Sequence, residues 1–100
     1  MKYNKLVRDK IPQYIKSRGG DCKIHFANEA EYWNKLKEKL AEEMAEFKES
    51  ESIDELVDIL EVIDAVIEFK KFDWQEISDL KKKKADIKGH FKERIILEES

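Results

Sequence analysis

The sequence predicts an all-α fold, a helical bundle built on an antiparallel helix hairpin. Three observations carry that prediction. Helix breakers are scarce, with three glycines and one proline in 100 residues. Apolar residues recur mostly at spacings of three and four, the period of a half-buried helix. Residues suited to cap a helix N-terminus also precede the periodic segments, and three of these caps are followed three positions later by an acid.

Asp9 is placed to cap a short first helix that holds Pro12 in its first turn, runs to Arg18 and is stopped by Gly19 and Gly20. "CKIHFA" then alternates briefly, and a minor two-stranded β element pairing it with "RIILEE" is an additional expectation. Asn28 with Glu31 opens a long helix to about Glu49. "SES" is the turn, and Ser52 with Glu55 caps a second long helix reaching about Lys71. Asp73 with Glu76 starts a last helix, which runs to about Lys88.

A chain of this length makes one domain, residues 1–100, with a modest core to which partner subunits can add. Charged residues make up 43% of it, yet the net charge is only −3, so no nucleic-acid partner is expected. Hydrophobic residues at 41% argue against disorder. Cys22 stands alone, which excludes an internal disulfide and a multi-cysteine zinc site. The most apolar segment, Ile53 to Phe69, carries six acids and is unfit to span a membrane. The N-terminus is polar from Lys2 onward, and a soluble cytoplasmic protein is expected. His25 and His90 lack ligand spacing, and no glycine-rich phosphate loop occurs.

Two short patterns stand in the acidic stretch "EEMAEFKESESIDELVD": Glu43-x-x-Glu46 and Glu55-x-x-Asp58. On a helical wheel with Glu43 at zero, Tyr32, Leu36, Phe47, Leu40, Trp33 and Met44 fall between about −20 and +100 degrees. Glu43 therefore sits inside the apolar stripe, and Glu46 lies about 60 degrees to one side. The next helix repeats the arrangement, with Glu55 between Val62 and Val66 and Asp58 about 60 degrees away. Glu42, Glu49, Asp54 and Glu61 point away from the stripes. A single such pair is ordinarily a wet surface, but a tight turn brings these two together at one end of the hairpin. Four unpaired anions there repel and lose hydration, so a multivalent cation is their natural partner. Oxygen ligands favour Mg²⁺, with Mn²⁺ as the alternative.

Basic residues suited to phosphate lie elsewhere. Lys84 occupies a position on the apolar seam of the last helix, between Leu80 and Ile87, where an anion would explain it. Lys88 and Arg94 flank Gly89, which permits a tight turn. Lys5, Arg8 and Lys10 surround the start of the first helix, although by physics alone this segment packs through Leu6, Val7 and Ile11 with its charges in water.

"KLAEEMAEF" followed by "DELVDILEVIDAV" resembles the all-α nucleotide pyrophosphohydrolases, the MazG and phosphoribosyl-ATP pyrophosphatase superfamily. The opening "YNKLVRDKIP" is similar to a phosphoribosyl-ATP pyrophosphohydrolase-like subgroup. "KADIKGHFKERIILE" is similar to the basic, glycine-containing ending of the family, with His90 in place of its second glycine. The gap of eight residues between Glu46 and Glu55 is shorter than the family's usual one. The resemblance implies Mg²⁺-dependent hydrolysis of a nucleoside triphosphate or related nucleotide between the α and β phosphates. It implies Glu43, Glu46, Glu55 and Asp58 as metal ligands; Glu43, deepest in the apolar stripe and so most liable to a raised pKa when metal is absent, is favoured over Glu46 as base. Lys84, Lys88 and Arg94 become candidate phosphate contacts, joined by Lys5 and Arg8. A homodimer or homotetramer is also implied, which suits the wide apolar arc of the Ile53 to Phe69 helix. The alternatives are a phosphoribosyl-ATP pyrophosphatase of histidine biosynthesis and a non-enzymatic helical module with an acidic docking face.

Overall fold

The computed structural model describes residues 4–100. Four helices follow in order: α1 (Ile11–Ser17), α2 (Glu29–Ser50), α3 (Ile53–Lys70) and α4 (Trp74–Lys88). Among the described residues no helix is long and apolar enough to cross a membrane.

The hairpin of α2 and α3 is the organising unit. Asn28 Oδ1 accepts the Glu31 backbone N–H at 2.9 Å, and Ser52 Oγ accepts that of Glu55 at 3.3 Å, so both long helices begin where the capping residues stand. Between them lie only Glu51 and Ser52. Glu51 turns the chain in the left-handed region at φ 53, its N–H bonded to the Phe47 carbonyl at 2.7 Å. So short a link makes the helices adjacent and antiparallel.

Their buried seam is small. Leu36 is 1% exposed, and Val62 and Ile67 are each 8% exposed. At the end away from the turn, Phe69 of α3 packs on α2, stacked against Trp33 at 5.6 Å and edge-on to Tyr32 at 5.4 Å. Lys70 and Lys37 place their ammonium groups 5.0 and 5.3 Å from the Trp33 ring centre.

Several expectations are corrected here. No strand forms among the described residues, so the pairing of "CKIHFA" with "RIILEE" does not exist. Both segments lie in the open, Phe26 at 92% and Ile96 at 82% exposure, and alternation without a surface to pack on does not hold a ladder. Helix α1 is capped at Lys10 rather than Asp9 and has no side-chain cap bond. The Asp73 carboxylate caps α4 through Gln75 N–H at 3.3 Å. The largest departure is α4 itself, which buries no residue: Trp74, Leu80 and Ile87 along its seam are 55%, 49% and 70% exposed. Lys84, placed on that seam by periodicity, is therefore exposed too.

Candidate functional site

The four acids of the two short patterns converge near the turn of the hairpin. Oxygens of Glu43, Glu55 and Asp58 lie within 4.8 Å of one another. The wheel explains the arrangement: Glu43 and Glu55 take core positions of their helices, and Asp58 comes one turn after Glu55 at the edge. Glu43 is buried at 5% exposure, Glu55 and Asp58 are half-buried, and Glu46 stands exposed at the rim.

The charge here is incompletely matched. Lys39, one turn before Glu43 on α2, reaches Glu43 Oε1 at 3.2 Å and Glu42 Oε2 at 3.6 Å. Glu43 Oε2 and Glu55 Oε2 are buried oxygens with no hydrogen-bond partner. Burial first, and then the facing carboxyls of Glu43 and Glu46, push the Glu55 carboxyl up to about 7. Glu46 contributes to that shift although its side chain opens to solvent. An acid forced to hold its proton near neutrality, beside orphaned oxygens, marks a place where positive charge is wanted.

Part of that charge comes from the N-terminal segment. Arg8 Nη2 donates to Asp58 Oδ1 at 2.8 Å, and its Nη1 lies 3.7 Å from Glu61. Lys5 Nζ pairs with Glu42 Oε1 at 3.0 Å, a contact that holds the Lys5 ammonium above its usual range and the Glu42 carboxyl below its own. Leu6 and Ile11 are half-buried beneath the segment. The segment packs through Leu6 and Ile11 with its charges exposed as expected, and the hairpin adds anions that pair with Lys5 and Arg8. Glu42 and Glu61 point away from the apolar stripes, yet they meet the segment's charges, Glu61 at the longer distance. Their angles supply the missed signal, since both lie on the side of the hairpin to which Glu46 and Asp58 lean.

The other basic candidates are not gathered in. Lys84, Lys88 and Arg94 are exposed on α4 and the segment after it. Lys88 and Arg94 do line one hollow together with Gly89, His90 and Phe91. Gly89 has φ 82, and its N–H closes α4 on the Ala85 carbonyl, as a turn after the helix requires. His25 pairs with Glu31 at 3.0 Å, away from the acid cluster.

No family model matches the chain. A stretch of 49 residues is 41% identical to an uncharacterized protein of Mycolicibacterium smegmatis, covering 49% of this chain and 50% of that protein. The chain thus spans about half the length of the curated relative it matches. No solved structure matches it.

Proposed function

We propose that this protein is a Mg²⁺-dependent nucleotide pyrophosphohydrolase, cleaving a nucleoside triphosphate or related nucleotide to a monophosphate and pyrophosphate. One observation carries the reading: two buried carboxylate oxygens, Glu43 Oε2 and Glu55 Oε2, come from adjacent helices and have no partner. Hydrogen-bond donors are the ordinary remedy for such atoms, and a divalent cation is the other.

The residues fit that cation. Oxygens bound to one Mg²⁺ at about 2.1 Å sit at most roughly 4.2 Å apart, and the Glu43, Glu55 and Asp58 oxygens, all within 4.8 Å of one another, need only a small inward movement to meet one ion. All three donors are hard oxygens, the type that Mg²⁺ and Mn²⁺ take. Bound there, Mg²⁺ supplies charge neutralisation for the phosphate oxygens and the leaving pyrophosphate.

The chain's own groups divide the remaining work. Glu46, open to solvent at the rim, accepts the proton of the water that attacks the α phosphorus, as the bond to the bridging oxygen breaks. Glu43 is the less suitable base, buried and paired with Lys39. Arg8 and Lys5 stand beside the acids, paired with Asp58 and Glu42, and would supply positive charge to a phosphate held there. Lys84, Lys88 and Arg94 are assigned to the phosphate chain on the resemblance alone.

The test is pyrophosphate release across a panel of nucleotides, with and without Mg²⁺, for the native chain and for Glu43→Gln and Asp58→Asn. Turnover that needs Mg²⁺ and falls by roughly a hundred-fold or more in both variants supports the assignment. An unchanged rate in either variant sinks the metal site, and no turnover of any nucleotide sinks the activity.

A further inference from the structure

The N-terminal segment, residues 4–10, straddles both helices of the hairpin on the side where the acids lie. At one end Lys5 and Leu6 line a narrow crease with Lys35, Glu38, Lys39 and Glu42 of α2, and Lys5 Nζ meets Glu42 Oε1 at 3.0 Å. At the other end Arg8 reaches α3, with Nη2 2.8 Å from Asp58 Oδ1 and Nη1 3.7 Å from Glu61 Oε1. Of these residues only Leu6 is half-buried, and no helix forms before Ile11, so the segment is held to the hairpin chiefly by charge. Asp58 is wanted twice. It is the carboxylate that Arg8 holds, and it also offers an oxygen within 4.8 Å of oxygens of Glu43 and Glu55. The guanidinium satisfies only the rim of that group, since Glu43 Oε2 and Glu55 Oε2 stay buried without a partner.

We propose that Arg8 and a divalent cation compete for Asp58, so that the N-terminal segment is a strap held on the acid face by Arg8 and released when the cation site fills. Magnitudes decide which partner yields. The Arg8 and Asp58 side chains are 53% and 37% exposed, and an ion pair so open to water shifts an equilibrium by at most about five-fold. A cation set among Glu43, Glu55 and Asp58 answers three carboxylates, two of them with orphaned buried oxygens, where Arg8 answers one. The weaker hold gives way. Linkage makes the effect reciprocal, so the strap lowers the affinity for the cation by the factor through which the cation loosens the strap. The inference rests on the metal reading of the acid cluster and adds that Arg8 opposes the ion the acids attract.

Calorimetric titration of Mg²⁺ into the full chain and into Arg8→Gln is the first measurement. Arg8→Gln is expected to bind Mg²⁺ about two- to five-fold more tightly. Removing any positive charge beside the acids has that sign, so the strap itself needs a second readout. Trypsin must draw the Lys5 ammonium away from Glu42 to cut after it, and cleavage there reports release of the segment. In the native chain, saturating Mg²⁺ is expected to speed that cut roughly two-fold or more relative to cleavage after Lys92 in the exposed C-terminal segment, followed by mass spectrometry. In Arg8→Gln the cut after Lys5 is expected to be fast already and indifferent to Mg²⁺. If the native chain binds Mg²⁺ with cleavage after Lys5 unchanged, or if Arg8→Gln binds no more tightly, the strap is overturned and the metal reading stands. If Mg²⁺ gives neither heat nor a shift in thermal midpoint in either chain, both are overturned.

Discussion

At the scale of single residues, Glu55 is the most informative group in the molecule. Its folded carboxyl titrates at about 7, above the 4.5 of the free side chain, because burial and two neighbouring carboxyls disfavour its charge. Between those two values the folded chain holds a proton that the unfolded chain has released, so stability falls as pH rises through the interval. The metal-free protein should therefore melt at a higher temperature near pH 5 than near pH 7, as far as this group decides. Glu55→Gln should be more stable than the native chain at pH 7 and should flatten that slope, a comparison made by thermal denaturation at matched ionic strength. A slope identical in the two proteins would show that Glu55 is not the group responsible. Added Mg²⁺ should raise the native midpoint at pH 7 and do much less for Glu55→Gln, since only a chain with the site complete gains by binding. Arg8 shows the opposite case. Its bond to Asp58 is short at 2.8 Å, but both side chains are well exposed. Arg8→Ala should accordingly shift stability by less than about 1 kcal/mol, measured by urea denaturation.

At the scale of elements, the hairpin depends on a few enclosed side chains and a tight turn. Leu36→Ala should cost about 2–5 kcal/mol, because the side chain is almost wholly enclosed and the seam has little else to close over the gap. Glu51 holds φ 53 without the freedom of glycine. Glu51→Gly should relieve that left-handed strain and stabilise the chain by roughly 1 kcal/mol, which the urea midpoint reads directly. Both long helices were legible in the sequence, since Asn28 and Ser52 announce their starts and the apolar period sets their facing sides. The grouping of Glu43, Glu55 and Asp58 followed from the same arithmetic, because a two-residue turn leaves antiparallel helices little freedom in how they meet. Elements needing an unseen partner were less legible. The wheel puts Lys84 between Leu80 and Ile87, but periodicity tells only which side is apolar, not whether anything lies against it. "CKIHFA" failed as a strand for the same reason, its alternation having no neighbour to pair with. The ion pairs of the N-terminal segment were not legible at all. Its contacts with Glu42, Asp58 and Glu61 join residues 37 to 53 positions apart in the chain, beyond the reach of local pattern.

At the scale of the whole molecule, the two faces of the hairpin are chemically unlike. One carries the acids and the basic segment that partly answers them, and the other carries an apolar stripe of Leu56, Val57, Leu60 and Ile63, all exposed. Among the described residues only Leu36, Val62 and Ile67 are buried apolar side chains, little for a chain that must also meet the conformational entropy of folding. If a second copy, as the family resemblance implies, supplies the missing burial, folding and association are one equilibrium, and dilution must weaken the fold. The thermal midpoint of the native chain should rise with protein concentration, whereas that of a monomer is indifferent to it. The acid site gives this prediction a useful separation. Asp58→Asn alters the charged face and leaves the apolar one untouched, so its midpoint should keep the full concentration dependence even where Mg²⁺ no longer stabilises it. A midpoint independent of concentration in the native chain would mean that α2 and α3 hold together with their apolar face in water.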